Sequence, residues 1–154
     1  MALAAGDKAP SFKIKTDDGG AISSSSLKGA PYVLYFYPKD DTSGCTKEAI
    51  GFTESLKAFG KLGIPVIGVS CDSLESHAKF RKKHKLKITL GSDPKTEMAK
   101  AWGVWGEKVL YGRKYMGLER ATFLVDAKGV IVQAWRKVKV PGHVEAVLLA
   151  AQSL

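Results

Sequence analysis

The chain has 154 residues, 45% hydrophobic and 25% charged, with 24 Lys and Arg against 15 Asp and Glu for a formal charge of +9. That length and balance suit one packed domain, read as residues 1–154, and exclude a disordered chain. Uninterrupted apolar runs reach only six residues, as in Tyr32–Tyr37, whereas a membrane-spanning helix needs about 20, so such a helix is excluded.

At the start, Met1–Ala5 is apolar, has no basic residue before it and is followed at once by Asp7 and Lys8. This is not a secretory signal, and a cytoplasmic location is expected. Ser11–Lys15 alternates Phe12 and Ile14 with polar residues and reads as an edge strand, followed by a turn at Asp17–Gly20. Tyr32–Tyr37 is aromatic and β-branched without charge, as a central strand buried on both faces requires. Glu48–Phe59 has apolar residues at 49, 52, 56 and 59, a helical spacing that Gly60 is expected to stop. Pro65–Val69 is the next buried strand. Asp72 with Glu75 three residues on predicts a capping box and a helix to about Lys83.

Ser92 or Asp93, before Pro94, is expected to open a short helix ending near Trp102. Gly103, Gly106, Gly112 and Gly117 break up the next stretch, which reads as a loop with a short strand. Ala121–Val125 and Val130–Val138 form a strand pair around a turn at Ala127–Gly129, and a last helix runs from about Gly142 to Ala150. This order describes an α/β layered domain whose first two buried strands are parallel neighbours. Ligands of such sheets bind beyond the carboxyl ends of the strands. Pro38–Cys45 and Cys71 both fall there.

The two cysteines, Cys45 and Cys71, are too few for a disulfide scaffold or a zinc site with four cysteine ligands. His77, His84 and His143 form no i, i+4 pair, so no metal site is expected, and His77 reads as a surface residue. No Gly-rich phosphate loop is present, and no cofactor is expected. The basic run Arg81–Lys87 has neither aromatic interleaving nor zinc-finger spacing. It reads as a solvated helix end, with a docking patch as the alternative, and no nucleic-acid partner is expected. Trp102, Trp105, Trp135, Tyr111 and Tyr115 fit either core packing or an apolar collar.

Cys45 sits between a buried strand and the first turn of a helix. Free backbone N–H groups and the helix dipole favour a thiolate there over a thiol, and the thiolate is the nucleophile. Its neighbours Thr42, Ser43, Gly44 and Thr46 are small or polar, which does not suit a core position. The strand–loop–helix placement is that of thioredoxin-like folds, but Thr42 stands where a dithiol exchanger has its second cysteine. A thiolate beside a hydroxyl suits attack on a small oxidant.

The run Pro38-Lys39-Asp40-Asp41-Thr42-Ser43-Gly44-Cys45 resembles the Pro-x-x-x-Thr-x-x-Cys pattern of peroxiredoxins. With YFYPKDDTSGCTKEA, VIGVSCDSLESHAKF, AWGVWGEKVLYGRKYMGLERATFLVD and WRKVKVPGHVEAVL, the chain is similar to the peroxiredoxin Q (bacterioferritin comigratory protein) subfamily from about Gly6 to Leu149. The resemblance implies a thioredoxin-like α/β fold with a central mixed sheet flanked by helices. It also implies a thiol peroxidase for hydrogen peroxide and small organic hydroperoxides, reduced by thioredoxin or a small thiol and acting as a monomer, with dimers occurring in the family.

On matching positions, Cys45 is then the peroxidatic cysteine, Thr42 a hydrogen-bond partner of thiolate and peroxide, and Pro38 a shield from water. Arg120 is the arginine brought to the thiolate, and Glu48 is its anchor. Many members of the subfamily carry a resolving cysteine five residues after the first, where this chain has Ile50. Others carry it in the helix after the second strand, where this chain has none. A one-cysteine cycle is therefore expected. The alternatives are a Cys45–Cys71 bridge, for which the Cα atoms must come within about 7 Å, and a non-catalytic redox sensor.

Overall fold

The computed structural model describes residues 3–154, so the first two residues of the Met1–Ala5 stretch lie outside the described residues. In chain order the elements are β1 (Lys13–Thr16), β2 (Ala21–Ser23), α1 (Ser24–Leu27), β3 (Tyr32–Phe36), α2 (Ser43–Lys61), β4 (Val66–Ser70), α3 (Leu74–His84) and β5 (Thr89–Ser92). They continue with α4 (Glu97–Ala101), β6 (Trp105–Leu110), β7 (Arg113–Leu118), β8 (Ala121–Val125), β9 (Ile131–Trp135) and α5 (His143–Gln152). Seven strands form one mixed sheet in the order β2-β1-β5-β4-β3-β8-β9. β3, β4 and β5 are parallel, while β1, β2, β8 and β9 join antiparallel. This is the expected α/β architecture, with β3 and β4 as parallel neighbours.

The uncharged run of β3 explains its central place. Alternate residues point to opposite faces of a strand, and both faces of β3 are covered. Val33, Tyr35 and Tyr37 pack with Phe52, Phe59, Phe80 and Val147 from α2, α3 and α5. Tyr32, Leu34 and Phe36 pack with Phe12, Met98, Trp102 and Phe123 on the other side. The sheet therefore separates two apolar cores, and α2 lies in the first.

Several boundaries differ from the sequence reading, each for a local reason. β1 is not the edge strand, because the Asp17–Gly20 turn returns the chain as β2 outside it. α2 starts at Ser43, not Glu48, because Cys45 extends the buried stripe Ala49–Phe52–Phe59 backwards by one turn. Gly60 does not stop it. The helix runs on to Lys61, with Leu62 as its C-cap and the left-handed Gly63 (φ +71°) beyond. Asp72 caps nothing; Ser73 is the N-cap of α3, accepting from the Ser76 N–H.

Ser92 ends strand β5, which the polar and glycine-containing sequence concealed. Asp93 instead reaches across to accept from the N–H groups of Met98 and Ala99 in α4. The glycine-broken stretch after Trp102 is a regular two-stranded ribbon, β6–β7, paired from Trp105↔Leu118 to Leu110↔Arg113. The partner strand of Ala121–Val125 is shorter than expected, since β9 ends at Trp135.

One glycine of the central sheet is there for space. A Cβ on Gly68 would lie 2.7 Å from Cζ of Tyr35, a buried ring that itself stacks on Phe52 at 4.7 Å. The ring cannot retreat, so Gly68→Ala is expected to destabilise the fold by about 1–3 kcal/mol. Thermal denaturation should show a loss of roughly 2–4 °C per kcal/mol. An unchanged midpoint would mean that the core at Tyr35 is looser than its packing indicates.

Candidate active site

The site begins with what the start of α2 leaves undone. Thr42 is the N-cap, but its side chain makes no capping bond. Its hydroxyl donates instead to the carbonyl of Lys39 at 2.9 Å. The first intrahelical bond runs from Thr46 N to Thr42 O, which leaves the N–H groups of the first turn available to an anion. Cys45 lies in that turn, facing inward.

Contrary to the reading of its neighbours, Cys45 is a core position, 1% exposed and packed among the first apolar cluster. The polar residues around it in sequence are its exposed side of the helix. What distinguishes it from a structural cysteine is a cation: Nη2 of Arg120 donates to its Sγ at 3.3 Å.

Arg120 comes from the two-residue connection between β7 and β8. That connection is held on both sides. Its own carbonyl accepts from Val138 N at 2.9 Å, and the preceding Glu119 is paired with Arg136 at 2.7 Å. The guanidinium passes over Gly44, where a Cβ would lie 3.2 Å from Nη2. Its Nη1 donates to Oε1 of Glu48 at 2.7 Å. The fork of one arginine thus bridges a thiol and a carboxylate one helical turn apart, a geometry that a lysine ammonium does not offer. Arg120, Glu48 and Cys45 are brought together as the sequence expectation had them.

Glu48 is fully buried on the apolar face of α2. Burial pushes its carboxyl up to about 7 against the opposing charge and hydrogen bond of Arg120. Among the described residues its second oxygen, Oε2, has no hydrogen-bond partner. His143 Nε2 stands 3.9 Å from that oxygen but is engaged with the hydroxyl of Thr122 at 2.7 Å. Burial, and then the charge of Arg120, lower His143 to about 4, so it is neutral at neutral pH. The charge that answers Glu48 is therefore Arg120.

Thr42 is exposed at the rim and makes no bond to Cys45, since its proton is committed to Lys39 O. Pro38 is half-buried and lines, with Arg120, a groove of about 520 Å³ that runs along the β6–β7 ribbon past Val104, Trp105, Val109 and Val138. The tryptophans divide accordingly. Trp102 is core, Trp135 packs beside the first core and Trp105 lines the groove. Tyr111, at the ribbon tip, is 96% exposed.

Cys71 lies elsewhere. It packs, half-buried, against the second core, on the opposite side of the sheet from Cys45. Burial, then the charges of Asp93 and Asp72, push its thiol up to about 11. It is neither aimed at Cys45 nor a ready nucleophile.

His77 does not take the surface position expected of it; it is fully buried, bonded to Asp40 and to the Gly91 carbonyl. Helical spacing carries the signal that was missed: His77, Phe80 and His84 share the inner face of α3. Asp40, Asp72 and His77 offer ligand atoms within 4.8 Å of one another. However, Nδ1 and Asp40 Oδ2 are 2.6 Å apart, a hydrogen-bond separation well short of the roughly 3.4 Å that two ligands at about 2.1 Å make around a tetrahedral ion. The group is a hydrogen-bonded cluster. The basic run is not merely solvated either: Lys83 and His84 pair with Asp41, and Arg81 with Asp17. Among the described residues, no helix is long and apolar enough to cross a membrane.

The AhpC/TSA family pattern matches residues 5–134. The chain belongs to the AhpC/TSA family. It is 47% identical over 148 residues to peroxiredoxin Bcp of Bacillus subtilis, covering 96% of this chain and 94% of that one. The fold agrees with peroxiredoxin Q of Xylella fastidiosa at a TM-score of 0.94 and 36% identity, covering 99% of this chain and 98% of that one. It also agrees with the bacterioferritin comigratory protein of Xanthomonas campestris, solved in work on its alkyl peroxide reduction activity, at a TM-score of 0.88 and 41% identity, over 92% and 90% of the two chains. The chain is a peroxiredoxin, a thiol-dependent peroxidase with a thioredoxin-like mixed α/β fold.

Removing the cation should expose what it compensates. Glu48 is ionised only above about pH 7 in the folded state, so its need for Arg120 is felt above that pH and not below it. Arg120→Met is therefore expected to destabilise the protein by up to about 3 kcal/mol at pH 8.5, and by much less at pH 5.5, where the carboxyl carries a proton. Chemical denaturation at the two pH values measures this. Equal losses at both would show that packing, not charge, is what Arg120 contributes.

Proposed function

We propose that Cys45 is the peroxidatic nucleophile of a single-domain enzyme comprising residues 1–154. The observation that carries this reading is the Arg120 fork, 2.7 Å from Glu48 Oε1 and 3.3 Å from Cys45 Sγ, at the uncapped start of α2. The Cys45 thiolate attacks one oxygen of the peroxide. An S–O bond forms as the O–O bond breaks, and the departing oxygen leaves as hydroxide or alkoxide and takes up a proton. Negative charge moves from sulfur to that oxygen during the step. A fixed guanidinium and free N–H groups already facing the site stabilise it without reorganisation.

Thr42 serves this step as an acceptor. Its own proton is donated to Lys39 O, which leaves its oxygen as an acceptor for the O–H of an incoming hydroperoxide. Pro38, which lines the groove with Arg120, keeps bulk water from the site. Glu48 holds the guanidinium in place; fully buried, it has no other partner of opposite charge among the described residues. Hydrogen peroxide and small organic hydroperoxides are the substrates. The apolar wall of Val104, Trp105, Val109 and Val138 beside Arg120 supports the latter, and so does the alkyl peroxide activity of the Xanthomonas relative.

The product is a sulfenic acid on Cys45. An external thiol, thioredoxin or a small thiol, condenses with it to a mixed disulfide and water, and a second thiol releases Cys45. The position of Cys71 behind the sheet supports this one-cysteine cycle over an internal bridge. Two free thiols and no disulfide among the described residues are in keeping with work in the reducing cytoplasm. The resemblance to peroxiredoxin Q supports a monomer.

Intact mass after one equivalent of hydrogen peroxide tests the cycle. The wild type and Cys71→Ser should each gain one oxygen, and Cys45→Ser should gain none. A loss of two hydrogens that requires both thiols would overturn the one-cysteine reading. Absence of any change would overturn the assignment of Cys45. Arg120→Lys, which keeps the charge and loses the fork, should slow the oxidation by ~10²-fold in stopped-flow measurements.

A further inference from the structure

The loop that carries Pro38 and Thr42 leads from β3 into α2, and α3 grips it through buried groups that the peroxidase reading leaves without a role. Asp40, at the middle of the loop, is buried. Its Oδ1 accepts from the hydroxyl of Tyr37 at 2.6 Å, and its Oδ2 accepts from the hydroxyl of Ser76 at 2.8 Å. Its backbone N–H donates to Asp72 at 2.8 Å. The next residue, Asp41, has φ +60°, a left-handed conformation that a non-glycine residue holds only under constraint. Lys83 and His84, from the far end of α3, pair with it.

His77 completes the grip, and its protonation follows from its partners. Nε2 lies 2.8 Å from the Gly91 carbonyl, which can only accept, so Nε2 carries a proton. Nδ1 lies 2.6 Å from Asp40 Oδ2, and that contact also needs a proton. A carboxylate that already accepts two hydroxyl bonds is the ionised partner, so the second proton resides on the ring. With both contacts satisfied, the ring is an imidazolium.

We infer that His77, doubly protonated and paired with Asp40, is a positioning residue for the peroxidase reaction: it holds the Pro38–Thr42 loop where peroxide is presented to Cys45. The inference rests on the reading of Cys45 as the peroxidatic residue. His77 touches neither thiol nor substrate and acts through Asp40. Of the two histidines in the grip, His77 is the fully buried one, while His84 meets Asp41 at the surface. The titratable or charged groups facing it are Asp40 and Tyr37 from the β3 side and Asp72 from the β4–α3 connection; β5 presents only the Gly91 carbonyl.

Burial works to lower the pKa of His77. The hydrogen bond and charge of Asp40, the Gly91 carbonyl and Asp72 outweigh it and set the pKa above the ordinary 6.5. The sign follows. Both contacts are complete below pH 6.5, and one of them is lost as pH rises through the raised value, when the neutral ring has a single proton for two acceptors, Asp40 Oδ2 and the Gly91 carbonyl.

The experiment follows single-turnover oxidation of Cys45 by hydrogen peroxide across about pH 6–10, beside its alkylation by iodoacetamide, which needs the thiolate but not the loop. The wild-type peroxide rate should fall on the alkaline side while alkylation does not. His77→Ala should lose ~10-fold or more in peroxide rate at pH 7, with alkylation altered far less. His77→Asn places an amide N–H near the position of Nδ1 and does not titrate, so it should recover much of the rate and abolish the alkaline fall. Nitrogen NMR of the wild type should show both ring nitrogens of His77 protonated at pH 7.

A neutral His77 ring, a wild-type peroxide rate with no alkaline fall, or equal losses in both reactions on His77→Ala would each overturn the inference. Where His77→Ala does not fold, the wild-type profile and the NMR spectrum decide alone. A wild type that does not react with peroxide at Cys45 sinks the peroxidase reading itself, whereas a reactive wild type with indifferent His77 variants sinks only this inference.

Discussion

The buried pair of Glu48 and Arg120 is the constraint around which the site is assembled. A carboxylate on the apolar face of α2 costs several kcal/mol to desolvate unless a cation meets it. Here, among the described residues, one oxygen is met and the other is not. Such a pair is a poor way to stabilise a fold. It does fix where a guanidinium must sit: within reach of Glu48 and, one turn back along the same helix face, of Cys45. The β7–β8 connection is positioned to deliver it because β8 pairs antiparallel with β3 in full register from Tyr32↔Val125 to Phe36↔Ala121. The start of β8 therefore lies beside the end of β3, where α2 begins. The sheet register is what brings residues 45 and 120 together.

The same logic places α3. A helix of eleven residues whose last turn is Arg81–His84 complements its own dipole with charge, yet these cations do more than solvate an end. Arg81 reaches the β1–β2 turn through Asp17 and also donates to the carbonyls of Leu86 and Ile88. Lys83 and His84 reach Asp41. Ser76 and His77 reach Asp40. One helix thus ties together the first hairpin and the loop that opens α2. Part of the chain's basic surplus serves this bracing.

The parts of this arrangement that were legible in the sequence are those set by local pattern. The uncharged run Tyr32–Tyr37 gave its strand away. The polar turn before a helical stripe marked Cys45 as a helix-start thiol. Arg120 and Glu48 were legible only through resemblance, because nothing local joins Arg120 to a thiol 75 positions away. The burial of Cys45 was missed because its sequence neighbours point outward while it points in; a stripe counted back from Ala49 reveals it. β5 was missed because Gly91 is required under Ile14, where a Cβ would lie 2.3 Å from Cδ1, so packing removed the side chain that would have marked a strand. His77 was misjudged because buried histidines are recognised by partners, and its partners Asp40 and Gly91 are distant in sequence.

The sheet also bears on the proposed recycling of Cys45. Tyr35 and Tyr37 belong to the core that holds Cys45, and Leu34 and Phe36 to the core against which Cys71 packs. The two thiols therefore face opposite layers, with hydrogen-bonded strands between them. Joining them would require a strand end to leave the sheet, exposing apolar surface worth about 25 cal/mol per Å² and leaving ladder bonds unmade. Opening the first turn of α2 costs far less. That turn is uncapped, its neighbours Thr42 and Ser43 are already in solvent, and Glu48 and Tyr35 beneath it hold polar atoms with no partner among the described residues. Between these two routes the cheaper one brings an oxidised Cys45 out toward the solvent and an external thiol. A reductant that comes to Cys45 from outside, as proposed above, has no strand to displace, whereas Cys71 lies across the sheet.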